Sequence, residues 1–322
     1  MKSVIITGIT GQDGSHLADM LLEKDYKVYG LIRRTSGGDL NCAKHLVDKV
    51  ELVEGDVTDL PSLMNLCKLA KADEFYNLAA QSHVGTSFGQ PIYTAESTGI
   101  GVLNCLEAIR QSGIFTKFYQ ASTSEMFGGL RGESLCNEHT AFHPRSPYGI
   151  AKLAGYWYTR NYREAYKMFA CNGILFNHEG ERRGPNFVTR KITMAVAKIK
   201  AGLQDKLYLG NLDAKRDWGY APDFVEGMWL MLNHNEPDDY VLATGQTHSV
   251  RDFCRVAFER LDMDYLEYVE IDPRFYRPAE VDVLLGDPSK AVKTLGWKCS
   301  TTFESLVEKM VDHDVSLLSN TK

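Results

Sequence analysis

The residues best suited to chemistry lie in two short stretches, Ala121-Ser122-Thr123-Ser124-Glu125 and Tyr148-Gly149-Ile150-Ala151-Lys152. Positions i and i+4 share one face of a helix, so the spacing predicts that the Tyr148 phenol and the Lys152 ammonium lie together. An adjacent ammonium favours the phenolate and lowers the tyrosine pKa toward a range useful for acid–base work. In extended geometry Thr123 and Glu125 point to the same side, presenting a hydroxyl and a carboxylate together. Moving hydride to or from an alcohol needs only the hydroxyl, the phenol and the ammonium. The added carboxylate supplies a base for a proton alpha to a carbonyl.

Such groups need a scaffold that brings strand ends together. Apolar, β-rich runs occur at Val4–Thr7, Lys27–Ile32, Val50–Glu54, Glu74–Asn77, Phe118–Ala121 and Phe169–Phe176. Helical patterns lie between them at Gly14–Lys24, Pro61–Lys68, Gly99–Ser112 and Tyr148–Tyr166. Continuously apolar strands alternating with helices predict an α/β fold, a doubly wound parallel (Rossmann) sheet with ligands at its carboxyl edge. Beyond Phe176 the alternation becomes irregular, with helices at Val188–Ala201, Asp223–Asn233, Val250–Leu261 and Thr302–Leu318. This predicts a first domain over 1–176 with a return segment near 214–244, and a smaller mixed α/β substrate domain from the rest of 177–322.

The first strand runs into Gly8-Ile9-Thr10-Gly11-Gln12-Asp13-Gly14 and then an amphipathic helix. Glycines let the backbone turn tightly against a pyrophosphate, and a helix N-terminus supplies amides and a positive dipole end. The second strand is followed by Arg33-Arg34-Thr35-Ser36, with no acid to accept adenine-ribose hydroxyls. Two guanidiniums and two hydroxyls suit a 2′-phosphate, so the cofactor read here is NADP. Asp56 and Val57 follow the third strand, where Asp56 is placed to accept from an adenine amino group. Leu78, Ala79, Ala80 and Ser82 follow the fourth, where small residues permit close approach of a dinucleotide.

The composition of the 322 residues is globular, with 44% hydrophobic and 24% charged residues. Lys and Arg total 36 against 42 Asp and Glu, a net charge of -6 that gives no global attraction for nucleic acid or an anionic membrane. Arg190, Lys191, Lys198 and Lys200 read as the solvated face of one helix. The seven cysteines are odd in number and never in CxxC spacing, which predicts reduced thiols in a cytoplasmic protein. No signal-peptide pattern, apolar run long enough to span a membrane, or paired histidine metal motif is present, so no metal and no membrane association are expected.

The order of GITGQDG, NLAAQS, ASTSE, SPYGIAK, NHEGERRG, FVTRKIT, RDWG, Tyr276-Arg277-Pro278-Ala279-Glu280 and LLGDP resembles that of the GDP-mannose 4,6-dehydratases, within the extended short-chain dehydrogenase/reductases. The resemblance implies that Thr123, Glu125, Tyr148 and Lys152 are the catalytic set, with Tyr93, His178 and Arg183 completing an NADP site. It implies a GDP-sugar site lined by Ser82, Glu125, Asn177, Val188, Lys191, Arg216, Arg277 and Glu280, and a homodimer or homotetramer. Arg216 and Arg277 are suited to a diphosphate, which guanidiniums grip in bidentate fashion. The chain departs from the family pattern at Gly180-Glu181, where Ser-Pro is usual, at Thr35–Leu46, and at His143 in the segment Gly129–His143, where a phenol is usual. A related GDP-sugar such as a GDP-manno-heptose is therefore an alternative substrate. An epimerase or reductase on another nucleotide sugar is the competing enzyme class, and a cofactor-binding redox sensor the competing non-enzyme.

Overall fold

Six apolar runs of the first half form adjacent strands of one sheet in this computed structural model, which describes residues 1–34, 40–129, 135–275 and 283–319. They are β1 (Ser3–Thr7), β2 (Lys27–Ile32), β3 (Glu51–Glu54), β4 (Glu74–Asn77), β5 (Lys117–Thr123) and β6 (Ala170–Leu175). A seventh strand, Asp239–Leu242, joins at the edge, giving the order Asp239–Leu242, β6, β5, β4, β1, β2, β3. Every neighbouring pair is parallel. The direction of winding reverses between β1 and β4, which opens a crevice at their carboxyl ends. The sheet is doubly wound, as its alternating pattern predicts.

Both sheet faces are covered, so the central strands carry apolar side chains on each side. On one face, Leu17 and Leu21 of helix Gln12–Glu23 pack with Phe224, Met228 and Leu232 of helix Ala221–Asn233 and with Trp297. On the other, Leu63 and Leu66 of Leu60–Ala70 and Leu106 and Ile109 of Gly101–Ser112 pack on Phe75 and Phe118. Each fully buried Leu or Phe contributes roughly 1.5–3 kcal/mol. Helices Val188–Lys200, Val250–Glu259 and Phe303–Ser319 build a separate core around Val196, Phe253, Phe258 and Val307, forming a second lobe. Its short strands include Asn177–Glu179 beside Trp218–Tyr220, and Lys215–Arg216 between His248–Ser249 and Val283–Leu284.

Several sequence expectations change. β5 runs on to Thr123, and Glu125 lies in a tight turn over Ser124–Met126, so Thr123 and Glu125 are not successive same-side positions of one strand. Arg190 is buried rather than solvated, because its guanidinium pairs with buried Asp314 at 2.7 Å and also bonds the Glu181 carbonyl. The helix expected from Gly99 begins at Gly101, preceded by a wide π-type turn over Ala95–Ile100. Thr35, Ser36, Arg277 and Glu280 lie outside the described residues.

Candidate active site

The glycine loop is shaped by close backbone approach. Gly8 has φ +73°, and a Cβ there would lie 2.8 Å from the Leu78 carbonyl carbon and the Ala79 nitrogen. A Cβ on Gly14 would lie 2.3 Å from the Gly8 oxygen. Only glycine fits either place without moving backbone. The Gly11 amide donates to the Gly8 carbonyl at 3.0 Å, which closes the turn. Among the described residues no side chain caps the N-terminus of helix Gln12–Glu23. An uncapped first turn behind a cradle that a Cβ would fill is a fitting seat for a pyrophosphate. The Thr7 hydroxyl accepts from the Leu78 and Ala79 amides at 3.2 Å each, which ties β1 to the segment after β4.

Helix Pro147–Tyr166 carries the phenol and the ammonium. Ser146 caps it by accepting from the Gly149 amide at 3.0 Å, and Pro147 fills the first position, where its missing N–H costs nothing. A Cβ on Gly149 would meet the Glu125 carbonyl at 3.0 Å, so the start of this helix packs directly against the Glu125 turn. Within that turn the Glu125 amide donates to the Thr123 hydroxyl at 3.3 Å. Thr123, Tyr148 and Lys152 are all buried and Glu125 is half-buried.

The electrostatics differ from the sequence expectation. Burial pushes the Tyr148 phenol up to about 12, opposed by a hydrogen bond from Thr123 and the charge of Arg183 and reinforced by Glu125. Burial also draws Lys152 down to about 8, with Asp13 acting in the opposite sense. The phenol thus stands above its ordinary value, and Lys152 is not among the largest influences on it. Its ammonium donates to the Ala121 carbonyl at 2.6 Å and lies 5.8 Å from the centre of the phenol ring.

A buried polar chain that the sequence reading missed fixes that carbonyl. Gln120 donates to the Ala121 oxygen at 3.0 Å and accepts from Asn77 at 2.8 Å, and Asn77 accepts from Thr7 at 2.6 Å. Thr7, Asn77 and Gln120 are at most 1% exposed on three adjacent strands. Their signal in the sequence was polar residues inside otherwise apolar runs, which buried strands tolerate only when paired.

Asp13 and His178 meet across the lobes at 2.9 Å, and Arg183 lies 2.9 Å from Glu179 with its guanidinium 3.6 Å over the Phe187 ring. Arg33 and Arg34 are exposed at the end of β2, and Arg33 donates to the Tyr93 hydroxyl at 2.6 Å. One Asp56 oxygen accepts from the Thr58 amide and hydroxyl. Val57 is in the core, while Ser82 is exposed. Asp13 pairs with His178, Gln12 donates to the His178 carbonyl, and the Asp13 charge acts on both Tyr148 and Lys152, so the glycine loop lies beside these groups at the crevice. The candidate sugar-site residues are less gathered. Asn177 sits beside His178, whereas Lys191 donates to the Tyr208 carbonyl at 2.7 Å and lies 3.7 Å over Phe275 in the second lobe. Arg216 is 7% exposed and donates to the Lys215 carbonyl, and Val188 opens its helix with 37% exposure.

Residues 5–310 match the family model of the GDP-mannose 4,6 dehydratases. The chain belongs to the GDP-mannose 4,6 dehydratase family. It is 54% identical over 333 residues to GDP-mannose 4,6 dehydratase 2 of Arabidopsis thaliana, spanning 100% of this chain and 89% of that one. Two solved structures share the fold of this GDP-mannose 4,6 dehydratase family member. UDP-glucose 4-epimerase of Thermotoga maritima with UDP-glucose matches at TM-score 0.88 and 24% identity, covering 98% of this chain and 99% of its own. The protein RMD of Pseudomonas aeruginosa, complexed with NADPH, matches at TM-score 0.83 and 21% identity, covering 98% of this chain and 100% of its own. Among the described residues no helix is long and apolar enough to cross a membrane, and no cluster of metal-ligating side chains occurs.

Proposed function

We propose that the chain converts GDP-D-mannose to GDP-4-keto-6-deoxy-D-mannose and water, with NADP as a cofactor regenerated in each turnover. The observation that carries this reading is the placement of Glu125 in the turn that packs against the start of the Tyr148–Lys152 helix, in a chain of this family. The glycine cradle and uncapped helix support a dinucleotide, and the exposed Arg33–Arg34 pair, with no acid at the end of β2, supports NADP over NAD. Residues 1–176 with the return segment near 214–244 form the cofactor domain in this reading, and the remainder holds the GDP-sugar through Asn177, Val188, Lys191 and Arg216, with Arg277 and Glu280 from outside the described residues. The chain is read as acting in the cytoplasm as a homodimer or homotetramer.

When bound, NADP supplies a reversible hydride acceptor, which leaves the overall reaction without net redox change. Tyr148 takes the proton of the sugar C4 hydroxyl, assisted by the hydrogen bond from Thr123 and the charge of Arg183 against the burial that raises the phenol. Lys152, anchored on the Ala121 carbonyl, holds a positive charge beneath the site at neutral pH. The C4 ketone acidifies the C5 proton, and Glu125 removes it. Glu125 then hands that proton to the departing C6 hydroxyl, so the C5–H and C6–O bonds break, a C5=C6 double bond forms beside the ketone and water leaves. With the hydride that the cofactor would return to C6, the proton held by Tyr148 passes to C5 and completes the 4-keto-6-deoxy sugar.

A GDP-manno-heptose is the second reading, favoured by the segment ending at His143. The His143 amide donates to the Met126 carbonyl at 2.8 Å, so the end of this divergent segment lies against the Glu125 turn. Purified protein given each GDP-sugar without added cofactor tests both, with products followed by mass. Loss of one water from GDP-mannose supports the first reading, and loss only from the heptose supports the second. No loss from either overturns both.

A further inference from the structure

A half-buried ion pair between the lobes solves a problem that the glycine loop creates for itself. Asp13 stands in the first turn of helix Gln12–Glu23, where a carboxylate ordinarily accepts from its own helix's amides. Such a self-cap would occupy the donors a pyrophosphate needs, and the anion would repel it. Here both carboxylate oxygens are turned elsewhere. Oδ2 faces His178 Nε2 at 2.9 Å, and Oδ1 accepts from the Gln12 side-chain Nε2 at 3.0 Å. Gln12 also donates to the His178 carbonyl at 3.1 Å, which fixes the geometry from both sides.

The state of His178 follows from its partners. Nδ1 faces the Phe176 carbonyl at 2.7 Å, an acceptor only, and Nε2 faces a carboxylate held well below the usual range, chiefly by His178 itself and despite its burial. Both ring nitrogens must then donate, which only an imidazolium does. Asp13 and the Phe176 carbonyl raise the histidine's pKa against burial and the charge of Arg183. The ring is stacked on Phe224 with centroids 4.7 Å apart and 16° between planes, so it has a fixed place between the lobes.

We propose that His178 is a positioning residue that acts through Asp13, offsetting its charge and holding it off the helix amides so that the loop stays open to a pyrophosphate. The inference rests on reading the loop as the dinucleotide site. Its test is a double-mutant cycle on NADPH affinity, measured by fluorescence titration of the full chain, with folding followed by circular dichroism. His178→Phe is expected to weaken NADPH binding roughly tenfold or more, because it leaves a carboxylate unpaired beside the phosphates. In the Asp13→Ala background the same change is expected to cost no more than about twofold, since nothing remains to be held or offset. His178→Gln keeps a side-chain donor without the charge and repeats the cycle should the phenylalanine variant not fold. An equal loss in both backgrounds, or no loss in either, overturns the inference while leaving the cofactor reading intact. Native protein that bound no NADPH would overturn the cofactor reading itself.

Discussion

Replacing Lys152 with methionine separates the demands of stability from those of chemistry. The side chain is 4% exposed, and burial draws its pKa from an ordinary value of 10.5 to about 8. That difference corresponds to about 3 kcal/mol by which the folded state disfavours the charged form. Between pH 8 and 10.5 the unfolded chain binds more protons at this site than the folded one, so stability from this group rises with pH across that window. Below it the full penalty is present. Methionine has nearly the same volume and no charge, and the Ala121 carbonyl keeps its bond from Gln120 at 3.0 Å, so no acceptor is orphaned. Lys152→Met is therefore expected to raise stability at pH 7 by up to about 3 kcal/mol, or roughly 4–5 °C in Tm for a chain this size. The gain should shrink toward zero by pH 10.5, while turnover is lost. Scanning calorimetry without nucleotide at pH 7 and pH 10 measures both. A variant less stable than native at pH 7, or a gain independent of pH, would refute the reasoning.

Other substitutions probe separate parts of the account. Glu125→Gln should keep GDP-mannose binding, measured by calorimetric titration, while steady-state elimination falls by about 10²–10⁴. Gly14→Ala puts a Cβ 2.3 Å from the Gly8 oxygen, and NADPH affinity should fall about tenfold or more as the loop opens. The double change Arg33→Ala with Arg34→Ala should cut the preference for NADPH over NADH by roughly tenfold, read from the two dissociation constants. Asp239, 4% exposed, accepts from both Arg163 guanidinium arms at 2.9 Å, from Asn172 at 2.9 Å and from Tyr156 at 3.1 Å. Asp239→Ala strands that cation and should lower stability by about 3–5 kcal/mol in denaturant titration.

The sequence carried some parts of this structure better than others, for physical reasons. β2 and β4 run over the spans expected, Lys27–Ile32 and Glu74–Asn77, because a strand covered on both faces shows as an unbroken apolar run. The glycine loop was legible because positive φ and backbone contact admit one residue type. Tyr148 and Lys152 were found by helical spacing, yet their electrostatics were not, since these depend on burial and on the Ala121 carbonyl from another element. The Thr7–Asn77–Gln120 chain is equally invisible along the sequence, its members lying 70 and 43 residues apart. Arg190 looked like one of several surface cations because Asp314, its partner, lies on a helix more than a hundred residues away.

The central claim is that hydride leaves C4 of the sugar and returns to C6 of the same molecule while Glu125 drives out water. Protein freed of exogenous nucleotide and given GDP-mannose deuterated at C4 tests this in one measurement, by mass and proton spectra of the product. The account predicts a dehydrated product with the deuterium at C6. Deuterium retained at C4, or lost to solvent or to released NADPH, would contradict it.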